Sequence, residues 1–466
     1  MVYVRSAQSE LLTWYQSKAR KPLIIRGARQ VGKSTLVRQF AQDSGLKLVE
    51  INLEKHTGLN ASFATLNVGR VLSELSVIAG MDLTAASQTV LFLDEIQATP
   101  RALQRLRYIY EERPSQAVIA AGSLLEFAIK DADFSMPVGR VDYLWLRPMS
   151  FFEYLGACQQ HHLATLIAAV TPKTLEDFPR AAHAELLVKQ REYLVVGGMP
   201  AVVTAYLEEG PIAARRVQEA ILASYLDDLA KYSRRHPLAR LQRVFGAIPG
   251  VLGTRVKYAH LSRHDQNRDI KDVLDLLTMA GVILPIYHSD CSGIPLAAGE
   301  DTAALKLLFL DVGLACRALG LDWSEQLHLE DVRLINDGAL AEQFVGQELA
   351  AVGSPREATH LHFWRRDKAQ SEAEIDYAIA LSRNIVPIEV KSGASGTLRS
   401  LHQFVLAKSP RLALRFDSSP PSQFMINHSV PGPDAQRTVE YPLLSLPLYF
   451  ASQGPRLAKE LLSELK

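Results

Sequence analysis

The sequence predicts an α/β protein of several domains: a parallel, helix-covered sheet first, a helical middle, and an α/β C-terminal third. Three observations lead there. Short apolar runs alternate with helical stretches as far as Arg147. From about 150 to 230 apolar residues recur at three- and four-residue spacing, as in FFEYLGAC and AHAELLVKQREYL. Period-two alternation then marks EIDYAIALSRNIVPIEVKSG, residues 374–393. At 466 residues the chain exceeds a usual single domain, and its 48% hydrophobic content can fill separate cores.

The first strand candidate is LII (23–25), an apolar run suited to a buried parallel strand. The loop GARQVGKST follows, then a helix with Leu36, Val37 and Phe40 on one face. The pattern G-x-x-x-x-G-K-[ST] thus sits between a strand and a helix, the context it needs. Gly27, Ala28, Arg29, Gln30, Val31, Gly32, Lys33, Ser34 and Thr35 form the candidate phosphate cradle. Its glycines let backbone N–H groups turn toward a phosphate, and the helix N-terminus adds a positive field. In this pattern Lys33 reaches the β- and γ-phosphates of ATP, and the Ser34 hydroxyl serves Mg²⁺. A second strand candidate is KLVEINLE (47–54). A third, TVLFLDEI (89–96), ends in Asp94 and Glu95. Beside a phosphate cradle, Asp94 can hold the Mg²⁺ shell and Glu95 can orient and deprotonate the attacking water. AVIAAGS (117–123) ends in Ser123, a polar group placed to sense the γ-phosphate, and VDYLWLR (141–147) follows Gly139-Arg140. Five such strands separated by helices predict a parallel sheet with its site at the carboxyl ends.

GARQVGKST, FLDEIQ, AAGSLLEF and MPVGR followed by LRPMSFFEYL resemble the AAA+ branch of P-loop ATPases, closest to the prokaryotic archaeal-type group. GGMP (197–200), YLDDLAKY (225–232) and FLDVGLA (309–315) extend the resemblance over most of the chain. It implies ATP hydrolysis with Mg²⁺ and makes Ser123 the first sensor. It also makes Arg140 a candidate to meet the γ-phosphate, in cis or from a neighbouring subunit of a homo-oligomer. A structural ion pair is the other reading of Arg140.

The helical text up to Tyr232 reads as a lid or connecting subdomain. Residues 231–271 differ: they hold ten Lys/Arg (Lys231, Arg234, Arg235, Arg240, Arg243, Arg255, Lys257, Arg263, Arg268, Lys271) against Asp265 and Asp269. In the following helix Ile270, Val273, Leu274 and Leu277 share a face, Gly281 ends it, and VILPIYH reads as a strand. With KYAHLS before it, this resembles a winged helix-turn-helix, which implies DNA as a partner. Protein–protein or intramolecular docking is the alternative. Asp272 and Asp275 on the second helix disfavour base-edge contact and leave phosphate contact.

In the C-terminal third, SRN suits a hairpin turn between EIDYAIA and NIVPIEVKS. Period two puts Ile375, Tyr377 and Ile379 opposite Asp376, and Val386, Ile388 and Val390 opposite Glu389 and Lys391. Upstream, GALAEQFVGQELAAV (338–352) is an amphipathic helix with Glu342 on the apolar side, where a carboxylate needs a partner. The order Glu342, Asp376, Glu389-x-Lys391 resembles the PD-(D/E)XK nuclease core, a restriction-endonuclease-like fold. That resemblance implies a second divalent cation at Glu342, Asp376 and Glu389, with Lys391 aiding phosphodiester cleavage. A fold that grips DNA or a partner without cutting, and a solvated strand face, are the alternatives.

The predicted organisation is an AAA+ P-loop domain (1–155), a helical lid or connecting subdomain (156–232), a winged helix-turn-helix (233–295) and a nuclease-like domain (296–466). Net charge is +1, so any nucleic-acid signal must be local. Cys158, Cys291 and Cys316 are too few and too scattered for a disulfide framework or zinc spacing, and the N-terminus lacks a signal-peptide pattern. No apolar run reaches membrane-spanning length. The expectation is a cytoplasmic ATPase without membrane contact.

Overall fold

The structure is a computed structural model that describes residues 3–83, 88–122, 139–230, 236–321, 337–366, 373–393, 397–430 and 437–465. Its contacts divide the chain into two units. One is Met1–Met149 with the short segments Met279–Val282 and Gly353–Ala358. The other is Ser150–Thr278, Ile283–Val352 and Thr359–Lys466.

The first unit is the expected parallel sheet. Its strands are β1 (Leu23–Arg26), β2 (Lys47–Asn52), β3 (Thr89–Asp94), β4 (Ala117–Ala121) and β5 (Asp142–Trp145), in the order β2-β3-β4-β1-β5. All six residues of β3 and all five of β4 are buried, as their unbroken apolar text requires of strands covered on both faces. Ile24, Leu91, Leu93, Val118 and Ala120 share a core with Leu72 and Leu75 of helix Val68–Ala79 and with Leu103 and Leu106 of helix Pro100–Glu112. Because β4 is inserted between β3 and β1, the chain leaves β1 and must cross β4 and β3 to reach β2. The carboxyl ends of β1 and β3 therefore open on a crevice where the connections diverge, the usual ligand position in open α/β sheets.

The second unit opens with helices. Ser150 and Glu153 form a reciprocal capping box on helix Phe151–Ala157. Phe151, Tyr154, Tyr193 and Phe344 pack in edge-to-face and stacked pairs 5.2–6.5 Å apart. GGMP and FLDVGLA meet here. The Asp311 carboxylate accepts the Gly198 amide (2.6 Å) and caps helix Val312–Ala318 at the Leu314 amide (3.0 Å). Gly197 must be glycine, since a Cβ there would lie 2.0 Å from Asp311 Oδ1.

An eight-stranded mixed sheet completes the unit: β6 (Ile283–Ser289), β7 (Glu300–Phe309), β8 (Leu361–Arg366), β9 (Ala373–Leu381), β10 (Asn384–Val390), β11 (Ala413–Asp417), β12 (Ser422–Val430) and β13 (Arg437–Pro447). The order is β12-β13-β11-β10-β9-β8-β6-β7. β6, the strand that follows the basic helical text, is thus built into the same sheet as the C-terminal strands, parallel to β8. β9 and β10 form the expected hairpin, registered from Leu381↔Asn384 to Tyr377↔Ile388. Ser382 turns it in the left-handed region (φ 56°). Helix Asp337–Val352 approaches β9 closely: the Tyr377 hydroxyl donates to the Glu342 carbonyl (2.7 Å), and a Cβ on Gly346 would lie 2.3 Å from that hydroxyl. Among the described residues, no helix is long and apolar enough to cross a membrane.

Candidate functional site

The cradle lies where its spacing predicts, in the loop from β1 to helix Lys33–Asp43. Gly27 has φ 142°, and a Cβ there would lie 2.1 Å from the Leu146 carbonyl oxygen, so only glycine lets β5's continuation pass this close. Gly32 caps the helix at φ 95°. The Lys33 ammonium, buried, donates to the carbonyls of Gly27 (2.9 Å) and Ala28 (2.7 Å). Burial lowers its pKa to about 8, against the opposing pull of Glu95 and Asp94. The Ser34 hydroxyl donates to Asp94 Oδ2 at 2.9 Å. Burial pushes the Asp94 carboxyl up, the Ser34 bond opposes this, and neighbouring Glu95 adds to the rise. Residues 60 positions apart thus meet at the ends of β1 and β3. One hydroxyl beside one buried carboxylate is an oxygen-only donor pair, and it fits Mg²⁺.

Glu95 leaves β3 in the left-handed region (φ 51°), and its Oε2 accepts from the Gln97 amide at 2.5 Å. Gln97 also explains Gly122 at the end of β4, where a Cβ would lie 2.2 Å from Gln97 Oε1. Arg5 braces the far side of the loop, donating to the carbonyls of Val31 (3.0 Å) and Arg147 (2.6 Å). Sequence reasoning missed both residues as site components. Gln97 was visible inside FLDEIQ, whereas nothing local marks Arg5. Arg140 is exposed, with its Nε 2.9 Å from Glu111 Oε1, a carboxylate that Arg107 also contacts at 3.1 Å. Ser123 lies outside the described residues.

The C-terminal residues also converge, with an addition the sequence did not announce. Lys306 of β7 is buried among carboxylates, its Nζ 2.5 Å from Glu374, 3.2 Å from Glu342 and 3.7 Å from Asp376. Burial opposes its charge, but Glu342, Asp376 and Glu374 outweigh this and hold its pKa above the ordinary lysine value. Asp376 Oδ2 accepts the Val390 amide (2.8 Å) across the hairpin, and Lys391 takes Glu389 Oε1 (2.6 Å). Glu389, read as lying opposite the buried face, is itself buried; its Oε2 is the one oxygen of the pair with Lys391 left without a partner. Burial, then repulsion from Asp376, pushes Glu342 up to about 8 and Glu389 up to about 7. Glu342, Asp376, Glu389 and Lys391 therefore lie together, but the first two carboxylates are turned onto Lys306. As arranged, this donor set does not fit the second divalent cation that the sequence resemblance implies.

In the basic stretch, helix Asn267–Met279 buries Ile270, Val273, Leu274 and Leu277 as their spacing predicts. Arg240 pairs with Asp265 (2.7 Å) and Asp269 (2.7 Å), and Arg243 with Asp265 (2.9 Å), so two of the ten cations are neutralised internally. Lys257, Arg263, Arg268 and Lys271 are exposed and make no side-chain hydrogen bond or ion pair among the described residues. Lys231, Arg234 and Arg235 lie outside those residues.

Residues 19–155 match the family model described as AAA domain. This segment is an AAA-type P-loop ATPase domain. Two further models, both described as domains of unknown function, match residues 188–325 (DUF8612) and 337–419 (DUF4143). The first takes in the basic stretch and Lys306, the second Glu342, Asp376, Glu389 and Lys391. None of the curated proteins matches the chain. In the AAA domain, the cradle, Asp94, Glu95 and Gln97 all gather at the carboxyl ends of β1, β3 and β4, where a nucleotide's phosphates can meet amides, ammonium and carboxylates together.

Proposed function

We propose that the AAA domain hydrolyses ATP to work a second unit that binds DNA without cutting it. The observation that carries the hydrolytic half is the Ser34–Asp94 contact beside Lys33, with Glu95 held by Gln97. The cradle's amides and Lys33 bind the β- and γ-phosphates. Ser34 and Asp94 hold Mg²⁺, which when bound neutralises charge on those phosphates. Glu95 takes a proton from the water that attacks the γ-phosphorus while the bond to the β–γ bridging oxygen breaks and ADP leaves with that oxygen, and Gln97 fixes the carboxylate's aim. Ser123 is assigned the sensor role. Arg140 is assigned to the γ-phosphate of a neighbouring copy, a role that requires it to leave Glu111. Substituting Glu95→Gln is expected to keep nucleotide binding, read by a fluorescent ATP analogue, and to abolish phosphate release. Undiminished release would remove Glu95 from the reaction.

The DNA half is supported by Lys257, Arg263, Arg268 and Lys271, exposed and without ion-pair partners among the described residues, in a stretch whose helices and following strand have the order of a winged helix-turn-helix. It is further supported by the restriction-endonuclease-like order of Glu342, Asp376, Glu389 and Lys391 on helix, strand and strand. The non-cutting reading is preferred over a metal-dependent nuclease because Lys306 holds two of the carboxylates a cation would need.

A further inference from the structure

Lys306 lies in LKLLF, an apolar run with one charge, and 2% of its side chain is exposed. A buried lysine is tolerated only where acceptors replace water. Here three carboxylates from two other elements do so: Glu342 from helix Asp337–Val352, and Glu374 and Asp376 from β9. Of the ammonium's three N–H donors, two find Glu374 (2.5 Å) and Glu342 (3.2 Å) within hydrogen-bond range, and Asp376 Oδ1 at 3.7 Å adds an ionic contact. The neighbouring oxygens are spoken for as well: Asp376 Oδ2 by the Val390 amide and Glu389 Oε1 by Lys391. Among the fully buried oxygens of these carboxylates, Glu389 Oε2 has no hydrogen-bond partner. A hard divalent ion needs about six oxygens at roughly 2.0–2.6 Å, and its double charge would stand against the ammonium over the same oxygens.

We infer that Lys306 is the resident cation of this cluster, an internal ammonium standing where a divalent ion would be bound, tying β7, helix Asp337–Val352 and β9 together. The cluster is a charge lock, and the hairpin that carries Asp376 and Glu389 is held in place without metal. This deepens the non-cutting reading proposed above and rests on it only for the role of the sheet.

The test uses the full-length, nucleotide-free protein and Mn²⁺ as the probe, with bound ion counted by electron paramagnetic resonance and plasmid nicking followed alongside. Wild type and Asp376→Asn are expected to bind the same Mn²⁺, and neither to nick above background. Lys306→Met uncovers the carboxylates: its Mn²⁺ binding is expected to tighten about tenfold or more, and its melting temperature to rise with added Mn²⁺ while that of wild type does not. Mn²⁺ bound by wild type and lost in Asp376→Asn, or nicking lost in both Asp376→Asn and Lys391→Ala, would overturn the inference. If Lys306→Met does not fold, the comparison of wild type with Asp376→Asn still decides. DNA binding measured on the same samples separates the two proposals. Its absence sinks the DNA-binding function and leaves the lock standing, whereas metal binding at Asp376 sinks the lock and leaves DNA binding standing.

Discussion

Lys33 is asked to hold a positive charge in a place that disfavours one. Buried beside the carbonyls of Gly27 and Ala28, it has a pKa of about 8. A phosphate stabilises the charged form, so binding raises that pKa and takes up a proton wherever the free lysine is neutral. Nucleotide affinity is therefore expected to be flat below about pH 8 and to fall above it, approaching tenfold per pH unit. Calorimetry in buffers of different ionisation heat should show the matching proton uptake, and a flat profile to pH 9.5 would refute it. Gln97 invites a different measurement. Its bond to Glu95 aims a carboxylate and touches no phosphate in the proposed site. Gln97→Ala should lower kcat by about tenfold, the worth of one charge-assisted hydrogen bond, and leave KM unchanged. A rise in KM alone would make Gln97 part of the binding surface.

The secondary elements show why parts of this protein could be read from sequence and parts could not. The five strands of the AAA domain and the β9–β10 hairpin were legible because local text sets them: unbroken apolar runs in β3 and β4, strict alternation around SRN. Long-range placement was not. Nothing in LKLLF says that its lysine will face Glu342 and Glu374, and nothing in VYVRS says that Arg5 will reach Arg147. Glu389 was placed on the correct strand face, but that face is covered as well, so periodicity alone misjudged its exposure. Asp265 ties helix Leu238–Ala247 to the start of helix Asn267–Met279 through Arg240, which holds its pKa below the ordinary carboxylate range, with Arg243 and Ser262 adding to this. A depressed folded pKa means that its contribution is present above the unfolded pKa and is lost as pH falls through the acid range. Asp265→Asn should lower the melting temperature at pH 7 by about 2–4 °C. The gap between variant and wild type should begin to narrow below about pH 4 and go on shrinking as the pH falls further. A gap that persists in acid would mean that packing, not charge, holds these helices.

At the scale of the whole molecule, a net charge of +1 hides an uneven distribution. Fifty acids nearly balance fifty-one Lys/Arg over the chain, yet Lys257, Arg263, Arg268 and Lys271 stand exposed without acidic partners among the described residues. A protein partner and a DNA partner read such a face differently. Duplex DNA carries condensed counterions, and each phosphate neutralised releases about 0.9 of them, so the logarithm of affinity falls linearly with the logarithm of salt concentration. If all four side chains meet phosphates, the slope should be about −3.6. Arg263→Ala and Lys271→Ala should each make it shallower by about 0.9 and weaken binding equally on unrelated sequences, since phosphate contacts carry no base information. Fluorescence anisotropy of short duplexes of differing sequence, titrated from low to moderate salt, measures both quantities. Affinity that ignores salt, or that depends on sequence while the slope stays unchanged in the variants, would assign this face to something other than the DNA backbone.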